Sequence, residues 1–389
     1  MSDGKKLLFV VDTDWFFISH RLSLALAAKD QGYRVIIVAT DTGKANIIRQ
    51  SGLQFIDASL IRKGINPLKE LLIIQELYQI YRQERPDIVH HVTLKIILGG
   101  SVAARLAGVN TVVNAVTGLG HFFIDPRRRW VVNFLFSPLF RMIRMLPNLH
   151  YIFQNTDDCN LFINRGWANK ESSTLIKGSG VDLIEFSCLP EPGTEMIRVS
   201  CGTRLLRDKG IFEFAKAAEI LKVRYPERVE CVLAGRIITE NPTSISGEQI
   251  DQWVNKGILT YQGFESNIYT FLGNCHINVL PSYREGLPRS LIEACAVGRP
   301  IVTTDVPGCR DVVSNGINGF LVPARDAEKL ADAIGVLIEN KALRLRMGQA
   351  SRRRATEEFD LNKIIEDTLE VYRSISPLSW QRKAADRVC

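Results

Sequence analysis

The sequence predicts an α/β protein built from two doubly wound, Rossmann-like domains that face each other across a cleft. Short apolar runs alternate with helical patterns along all 389 residues, which is typical of βαβ units and parallel sheets. A chain of this length exceeds one ordinary hydrophobic core. The polar, proline-containing stretch 185–195 separates two such series and is typical of a linker. We therefore expect domains at 1–188 and 189–375, followed by a C-terminal tail at 376–389.

Each domain is expected to contain six strands. In the first domain the apolar runs lie at 7–12, 34–40, 54–58, 87–92, 111–116 and 150–154, with helices such as 21–30, 68–83 and 97–107 between them. In the second domain the runs lie at 197–201, 230–234, 259–262, 277–280, 300–303 and 319–322. Ligands of doubly wound sheets bind beyond the carboxyl ends of the strands. Functional residues are therefore expected where each strand meets the loop that follows it.

The composition indicates a globular protein without a membrane-spanning segment. Hydrophobic residues make up 46% of the chain and charged residues 23%, and no stretch approaches the ~20 apolar residues of a membrane helix. The first residues lead into a strand rather than a signal peptide, so we expect the protein in the cytoplasm. The 8 cysteines show no CxxC or Cys/His ligand spacing, which predicts reduced core residues and no metal site.

The formal charge of +7 is concentrated in one stretch, 121–150. Five arginines in it are opposed by the single acid Asp125, and aromatic and aliphatic residues lie between them. Such a basic, aromatic-rich stretch is typical of a helix that lies on an anionic membrane surface. A core helix with basic ends would give the same pattern, because apolar residues occur on all sides and Pro138 interrupts them. No nucleic-acid recognition motif accompanies this charge.

Two glutamates, Glu285 and Glu293, follow the strand expected at 277–280. Pro288 suits the first turn of the next helix, so Glu285 and Gly286 lie in the loop and Glu293 lies about one turn inside the helix, on the side that can face back to the loop. Backbone N–H groups at a helix N-terminus bind phosphate, and carboxylates accept hydrogen bonds from sugar hydroxyls. The loop is therefore a candidate nucleotide-sugar site, although two glutamates on an ordinary solvated helix would look the same.

A second candidate loop follows the strand expected at 197–201. Arg204 and Lys209 flank it, and Gly210 opens the next helix. Two fixed cations at a helix start can clamp a diphosphate without a metal and stabilise the charge of a leaving nucleoside diphosphate. A solvated basic loop is the alternative for either residue alone.

The segments 204–210, 285–288 with 293–294, 298–302 and 315–322 together resemble family 4 glycosyltransferases, and the resemblance extends over nearly the whole chain. It implies the B-type glycosyltransferase fold, a UDP-sugar donor held mainly by the C-terminal domain, no catalytic metal or other cofactor, and retention of the anomeric configuration. The resemblance implies that Arg204 and Lys209 bind the donor diphosphate and that the catalytic candidate Glu285 binds the donor-sugar hydroxyls. It also implies that Gly286 and Leu287 contact phosphate or sugar through their backbone N–H groups, and that Glu293 binds the ribose.

The N-terminal half departs from the family pattern. Residues 13–21 replace the usual glycine pair after the first strand, and Thr117 stands where the family histidine is expected, with the second catalytic candidate, His121, four residues later. The 15–21 segment with the apolar helix after it, together with 117–120, is most similar to a subgroup that builds bacterial surface glycans on polyprenyl diphosphate. This similarity makes Asp14, Trp15, Phe16 and Thr117 candidates for the acceptor side, where the aromatic rings either stack on a sugar or simply pack. Asp12-Thr13-Asp14 matches the DxD of metal-dependent transferases, but it ends the first strand of the wrong architecture, so we expect no metal there.

These observations lead to one function and two alternatives. We expect a retaining glycosyltransferase that moves a hexose or N-acetylhexosamine from a UDP-sugar to a lipid-linked saccharide at the inner face of the plasma membrane. A UDP-sugar epimerase of the same architecture would work without an acceptor. A non-catalytic scaffold would bind the donor without turnover.

Overall fold

The computed structural model describes residues 4–60, 67–119, 134, 136–239, 241 and 243–375. The chain forms two compact units, one made of Met1–Ser179 together with Ile364–Cys389 and the other of Gly180–Lys363. This division differs from the expected boundary at 188. The contacts change earlier, at Gly180, and the last helix returns to the first unit because its apolar side chains pack there.

The first unit contains a seven-stranded parallel sheet with the strand order β3-β2-β1-β4-β5-β6-β7. Its strands are β1 (Lys6–Thr13), β2 (Arg34–Thr40), β3 (Gln54–Asp57), β4 (Ile88–Val92), β5 (Thr111–Val116), β6 (Leu149–Phe153) and β7 (Ser173–Leu175). Its helices are α1 (Asp14–His20), α2 (Leu22–Asp30), α3 (Ala45–Gln50), α4 (Pro67–Glu84), α5 (Leu94–Ala107), α6 (Ser137–Ile143) and α7 (Thr156–Asn164). The doubly wound sheet is as predicted, and β7 is an additional short edge strand.

Both faces of this sheet are covered, as its nearly continuous apolar strands require. Alternate residues of β1 point to opposite cores: Leu8 and Val10 pack with α4 and α5, whereas Phe9 packs with α2 and with the C-terminal helix α15 (Leu361–Ser374). Tyr372 of α15 is fully buried and its hydroxyl lies 2.5 Å from His90 Nδ1. The last helix is therefore an integral part of the first core.

The two histidines of β4 are core residues, since both side chains are buried. The ring of His91 lies between the Tyr81 hydroxyl at 2.9 Å and Asn114 Oδ1 at 2.8 Å. Burial lowers the pKa of His91 to about 4 and lowers that of His90 as well. Both rings are therefore neutral at physiological pH and serve to connect buried elements.

The second unit contains a six-stranded parallel sheet with the order β10-β9-β8-β11-β12-β13. Its strands are β8 (Ile197–Gly202), β9 (Val229–Ala234), β10 (Thr260–Tyr261), β11 (Ile277–Leu280), β12 (Ile301–Thr304) and β13 (Gly319–Val322). Its helices are α8 (Ile211–Arg224), α9 (Gly247–Asn255), α10 (Ile268–Gly273), α11 (Arg289–Val297), α12 (Cys309–Val312), α13 (Ala327–Glu339) and α14 (Lys341–Glu358). A short 3₁₀ turn, Arg207–Lys209, precedes α8.

The strand orders fix where each sheet can hold a ligand. In the first sheet the winding direction reverses between β1 and β4, and in the second it reverses between β8 and β11. The loops leave in opposite directions at such a switch point, which opens a crevice at the carboxyl ends of the two strands. None of the described helices is long and apolar enough to cross a membrane.

Candidate active site

The two loops singled out in the second half of the sequence meet at the switch point of the second sheet. The loop after β8 and the loop after β11 are joined by a hydrogen bond from Tyr283 N to the carbonyl oxygen of Asp208, at 2.8 Å. Gly210, at φ 71°, ends the first loop against Pro281, and a Cβ atom at Gly210 would lie 2.0 Å from the Pro281 carbonyl oxygen. Only glycine permits this approach, and it brings Lys209 to the β11 loop.

Lys209 and Glu285 form a buried ion pair. Lys209 Nζ lies 2.5 Å from Glu285 Oε1, and their side chains are 8% and 12% exposed. The hydroxyl of Ser282 donates to the same carboxylate oxygen at 2.7 Å. The hydrogen bonds that Glu285 makes through its carboxylate to other described residues all fall on Oε1, so Oε2 retains its capacity to accept from a ligand hydroxyl.

Ser282 was missed by the sequence analysis. Its hydroxyl, which contacts Glu285, also lies 3.0 Å from the Asp208 carbonyl oxygen. The carbonyl oxygen of Ser282 accepts a hydrogen bond from Thr304 Oγ1 at the end of β12. Ser282 therefore fixes the glutamate relative to three successive loops. A serine in this position gives no sequence signal, since its importance depends on the two loops being adjacent.

The backbone of residues 285–287 is held by the loop after β12. Glu285 N donates to Pro307 O at 3.1 Å, and a Cβ atom at Gly308, which has φ 82°, would lie 2.6 Å from the Gly286 carbonyl oxygen. Leu287 is buried at 8% exposure, and its N–H makes no hydrogen bond within the described part of the chain. This N–H lies just before α11, where an anionic ligand is favoured.

Glu293 and Arg204 occupy the same edge without contacting the ion pair. Glu293 Oε1 accepts from Arg289 Nε at 2.7 Å, one turn earlier on α11, and burial raises the pKa of Glu293 while Arg289 opposes that shift. Arg204 is exposed, and its guanidinium makes no hydrogen bond or ion pair within the described ranges. The structure thus brings Lys209 and Glu285 together, and it leaves Arg204 available to an added anion.

The acceptor-side candidates of the first unit differ in exposure. Asp14 is fully buried, and its carboxylate accepts four hydrogen bonds, from the N–H of Trp15 and Lys44 and from the N–H and hydroxyl of Thr42, at 2.5 to 2.9 Å. It therefore ties α1 to the loop after β2. Burial acts to raise the pKa of Asp14, but these hydrogen bonds outweigh it, so the pKa is lowered.

The aromatic candidates beside Asp14 lie on helix α1, which precedes the helix expected at 21–30. Thr13 caps α1 by accepting from Phe16 N at 3.0 Å. Trp15 is 49% exposed, whereas Phe16 stacks on His20 with ring centroids 4.2 Å apart. Thr117 is partly exposed just after β5, and the catalytic candidate His121 lies outside the described residues.

Two family models match this chain. One, described as glycosyl transferase 4-like, covers residues 6–146. The other, described as glycosyl transferases group 1, covers residues 190–354. Together they extend over both halves, and the second includes all six of the donor-side candidates, namely Arg204, Lys209, Glu285, Gly286, Leu287 and Glu293.

Curated relatives align over most of their length. The chain is 28% identical to the N,N'-diacetylbacillosaminyl-diphospho-undecaprenol alpha-1,3-N-acetylgalactosaminyltransferase of Campylobacter jejuni, covering 92% of this chain and 97% of the relative. It is 22% identical to the UDP-Gal:alpha-D-GlcNAc-diphosphoundecaprenol alpha-1,3-galactosyltransferase of Escherichia coli, covering 88% and 89%.

Solved structures share the fold. The Anabaena protein Alr3699/HepE in complex with UDP superposes with a TM-score of 0.75 at 18% identity, covering 95% of this chain and 100% of that one. Sucrose-phosphate synthase from Thermosynechococcus elongatus superposes with a TM-score of 0.75 at 18% identity, covering 95% and 99%. These similarities confirm the predicted B-type architecture of two Rossmann-like domains.

Proposed function

Because this chain belongs to the family 4 glycosyltransferases, with a 4-like first half and a group 1 second half, we propose that it transfers a hexose or N-acetylhexosamine from a UDP-sugar to a saccharide linked to polyprenyl diphosphate. The observation that carries this proposal is the buried Lys209–Glu285 pair at the switch point of the second sheet. It presents a carboxylate oxygen and a cation together, where the fold class binds its ligands.

The donor would be held by charge and by directed hydrogen bonds. Arg204, which has no anionic partner in the described ranges, would pair with the diphosphate, and the Leu287 N–H would donate to it. Glu285 Oε2 would accept from a sugar hydroxyl while Oε1 stays on Lys209 and Ser282. Glu293, whose Oε1 is held by Arg289, would accept from a ribose hydroxyl through its other oxygen.

Lys209 would also assist the departure of UDP. When the bond between the anomeric carbon and the donor phosphate breaks, negative charge grows on the diphosphate, and a fixed cation stabilises that charge. The acceptor hydroxyl would attack from the same face and pass its proton to a departing phosphate oxygen, which gives retention without a separate base. Since the cations supply the stabilisation, we propose that no metal is needed, and activity should be unchanged in excess EDTA.

The names of the two undecaprenyl-diphosphate relatives support a lipid-linked acceptor.

Part of the basic, aromatic stretch 121–150 supports a membrane contact as well. Phe140 of α6 is fully buried and stacks on Trp167 with centroids 4.8 Å apart, whereas Phe134 and Met145 are 80% and 73% exposed. One face of this segment is therefore core, and the other combines apolar side chains with Arg141 and Arg144, as binding to the inner face of the plasma membrane requires. Residues 121–133 lie outside the described ranges.

The test is the release of UDP from a panel of UDP-sugars, with and without a synthetic polyprenyl-diphosphate N-acetylhexosamine. We expect release only when both substrates are present, and a product whose anomeric coupling matches that of the donor. Glu285→Gln should abolish release, whereas the matched control Glu219→Gln, on the exposed face of α8, should not change it. Conversion of a UDP-sugar into another UDP-sugar without an acceptor would establish an epimerase instead, and tight UDP binding without transfer would establish a scaffold.

A further inference from the structure

The switch point of the first sheet also carries a carboxylate. Asp12 lies at the carboxyl end of β1, and β1 pairs directly with β4 at the place where the winding reverses. The side chain is half-buried and therefore still reaches solvent. In the sequence, Asp12 belongs to the DxD-like pattern at 12–14. Its place in the sheet corresponds to the crevice in which doubly wound domains bind ligands.

Asp12 is held by a residue in a strained conformation. Thr93 follows β4 with φ 77° and ψ 148°, a region that is essentially restricted to glycine. It occupies the N-cap of α5, yet its hydroxyl does not cap the helix. Instead, Thr93 Oγ1 donates to Asp12 and lies 3.1 Å from both carboxylate oxygens. A β-branched residue persists in such a conformation only where the surroundings enforce it, and such outliers cluster at ligand sites.

The carboxylate of Asp12 accepts few hydrogen bonds for a side chain that is half-buried. Its one hydrogen bond within the described part of the chain comes from Thr93, although a carboxylate has about four acceptor sites. The charged group that acts on it is Lys95 on the first turn of α5, and the ammonium of Lys95 also lies 3.6 Å from Glu70 Oε1. Burial prevails over these two favourable contacts and raises the pKa of Asp12 to about 6.

Other groups at this edge suit a sugar. Trp15, three residues after Asp12, is 49% exposed, and Thr117 is partly exposed at the end of β5, the next strand beyond β4. Sugars bind through hydroxyls to carboxylates and through their apolar faces to indole rings. The neighbouring Asp14 cannot take this role, because all its acceptor positions face its own protein.

We propose that Asp12, oriented by Thr93, binds a hydroxyl of the acceptor saccharide. This assignment rests on the transferase activity proposed above. Asp12 accepts a hydrogen bond from the acceptor sugar and does not touch the UDP-sugar. Its removal therefore lowers kcat/KM for the acceptor and leaves UDP binding unchanged.

The experiment compares Asp12→Asn with Asp30→Asn, an exposed carboxylate at the end of α2 in the same unit. Asparagine keeps the shape of the side chain and can still accept from Thr93. We expect kcat/KM for the synthetic polyprenyl-diphosphate N-acetylhexosamine to fall about 10- to 100-fold in Asp12→Asn and to remain unchanged in Asp30→Asn. The thermal stabilisation by UDP should be the same in both variants and in the wild type. Thr93→Ser, which keeps the hydroxyl, should retain more acceptor activity than Thr93→Val.

Three results would overturn the assignment. An Asp12→Asn variant with an acceptor kcat/KM within about twofold of the wild type would show that no acceptor hydroxyl binds there. Loss of UDP binding together with acceptor activity, or a melting temperature well below that of the wild type, would identify Asp12 as a brace for Thr93. A wild-type protein that binds UDP but releases none with any acceptor would contradict the proposed function itself, which is a distinguishable failure.

Discussion

The two switch-point edges of this protein solve the burial of a carboxylate in different ways. In the second unit, Glu285 lies against Lys209 at 2.5 Å, so the two charges neutralise each other inside the fold. In the first unit, Asp12 receives a single hydroxyl, and burial raises its pKa to about 6. A carboxylate that is already paired with a cation offers a ligand a fixed acceptor. A carboxylate with too few donors gains more free energy when a ligand supplies another donor.

A second contrast lies within the first unit, between two aspartates that are neighbours in sequence. Asp14 accepts four hydrogen bonds and is fully buried, whereas Asp12 accepts one and remains half-buried. Asp12 and Asp14 have the same side chain and lie two positions apart, but the number of hydrogen-bond donors that face each carboxylate differs. The donor count separates a structural carboxylate from one that is available for binding.

Breaking the ion pair of the second unit should give the largest effect. Lys209→Met leaves the Glu285 charge buried without its cation, so we expect a loss of about 3–5 kcal/mol in the free energy of unfolding and loss of UDP release. The double variant Lys209→Met/Glu285→Gln should recover most of that stability without recovering activity. Urea unfolding of the two single variants and the double variant measures the coupling. Additive losses would show that the two side chains do not stabilise each other.

Removing the carboxylate of Asp14 should destabilise the first unit. Asp14→Asn replaces an acceptor by a donor toward at least one N–H group, and we expect a loss of about 1–3 kcal/mol. Because the folded pKa of Asp14 is lowered, its stabilisation is present above the unfolded value of about 3.9 and disappears as the pH falls through the folded pKa. Thermal melts of both proteins across pH 2–7 should therefore converge at the acid end. A change in acceptor KM without a change in stability would contradict a structural role.

Asp12→Asn should raise the stability of the first unit at neutral pH, whereas Asp14→Asn should lower it. The folded pKa of Asp12 is raised to about 6, so the ionised side chain costs stability at neutral pH, by up to about 3 kcal/mol. We expect the variant to melt above the wild type at pH 8. This advantage should decrease as the pH falls through about 6 and vanish below the unfolded value of about 3.9. A variant that melts below the wild type at pH 8 would show that the hydrogen bond from Thr93 outweighs the burial.

Arg204→Gln should have the smallest effect on the fold. The side chain is exposed and has no partner in the described ranges, so we expect no measurable change in unfolding free energy. If Arg204 pairs with the donor diphosphate, the KM for the UDP-sugar should rise about tenfold, since a charged hydrogen bond is lost. Arg207→Gln, on the same loop, is the matched control because the Arg207 guanidinium lies over the Phe212 ring instead. Equal effects of the two substitutions would indicate a general loss of positive charge.

The sequence determined the architecture because the apolar runs carry it. Strands such as β1 and β2 contain unbroken apolar runs that are buried on both faces, so their positions were predictable. The three-residue β7 was missed because a short, partly exposed edge strand has no such run. Helix α1 was missed because seven residues are too few to show a helical period, and only the Thr13 cap marks where the helix begins.

The site was predictable in its location but not in its connections. Strand-to-helix loops with basic and acidic residues marked the edge that holds Lys209 and Glu285. That the two side chains bind each other depends on the approach of Gly210 to Pro281, which no local pattern reveals. The role of Asp14 was hidden for the same reason, since its donors Thr42 and Lys44 lie 28 and 30 residues away. The donor-side and acceptor-side roles themselves stay predictions.

The return of the last helix to the first unit has a consequence for biosynthesis. The buried contact between His90 and Tyr372 joins residues separated by 282 positions. During translation the sheet of the first unit emerges from the ribosome long before its last helix, so the part of its apolar surface that α15 covers stays exposed while the second unit is made. We therefore expect an N-terminal fragment without this helix to expose apolar surface of the first unit and to aggregate more readily than the full chain.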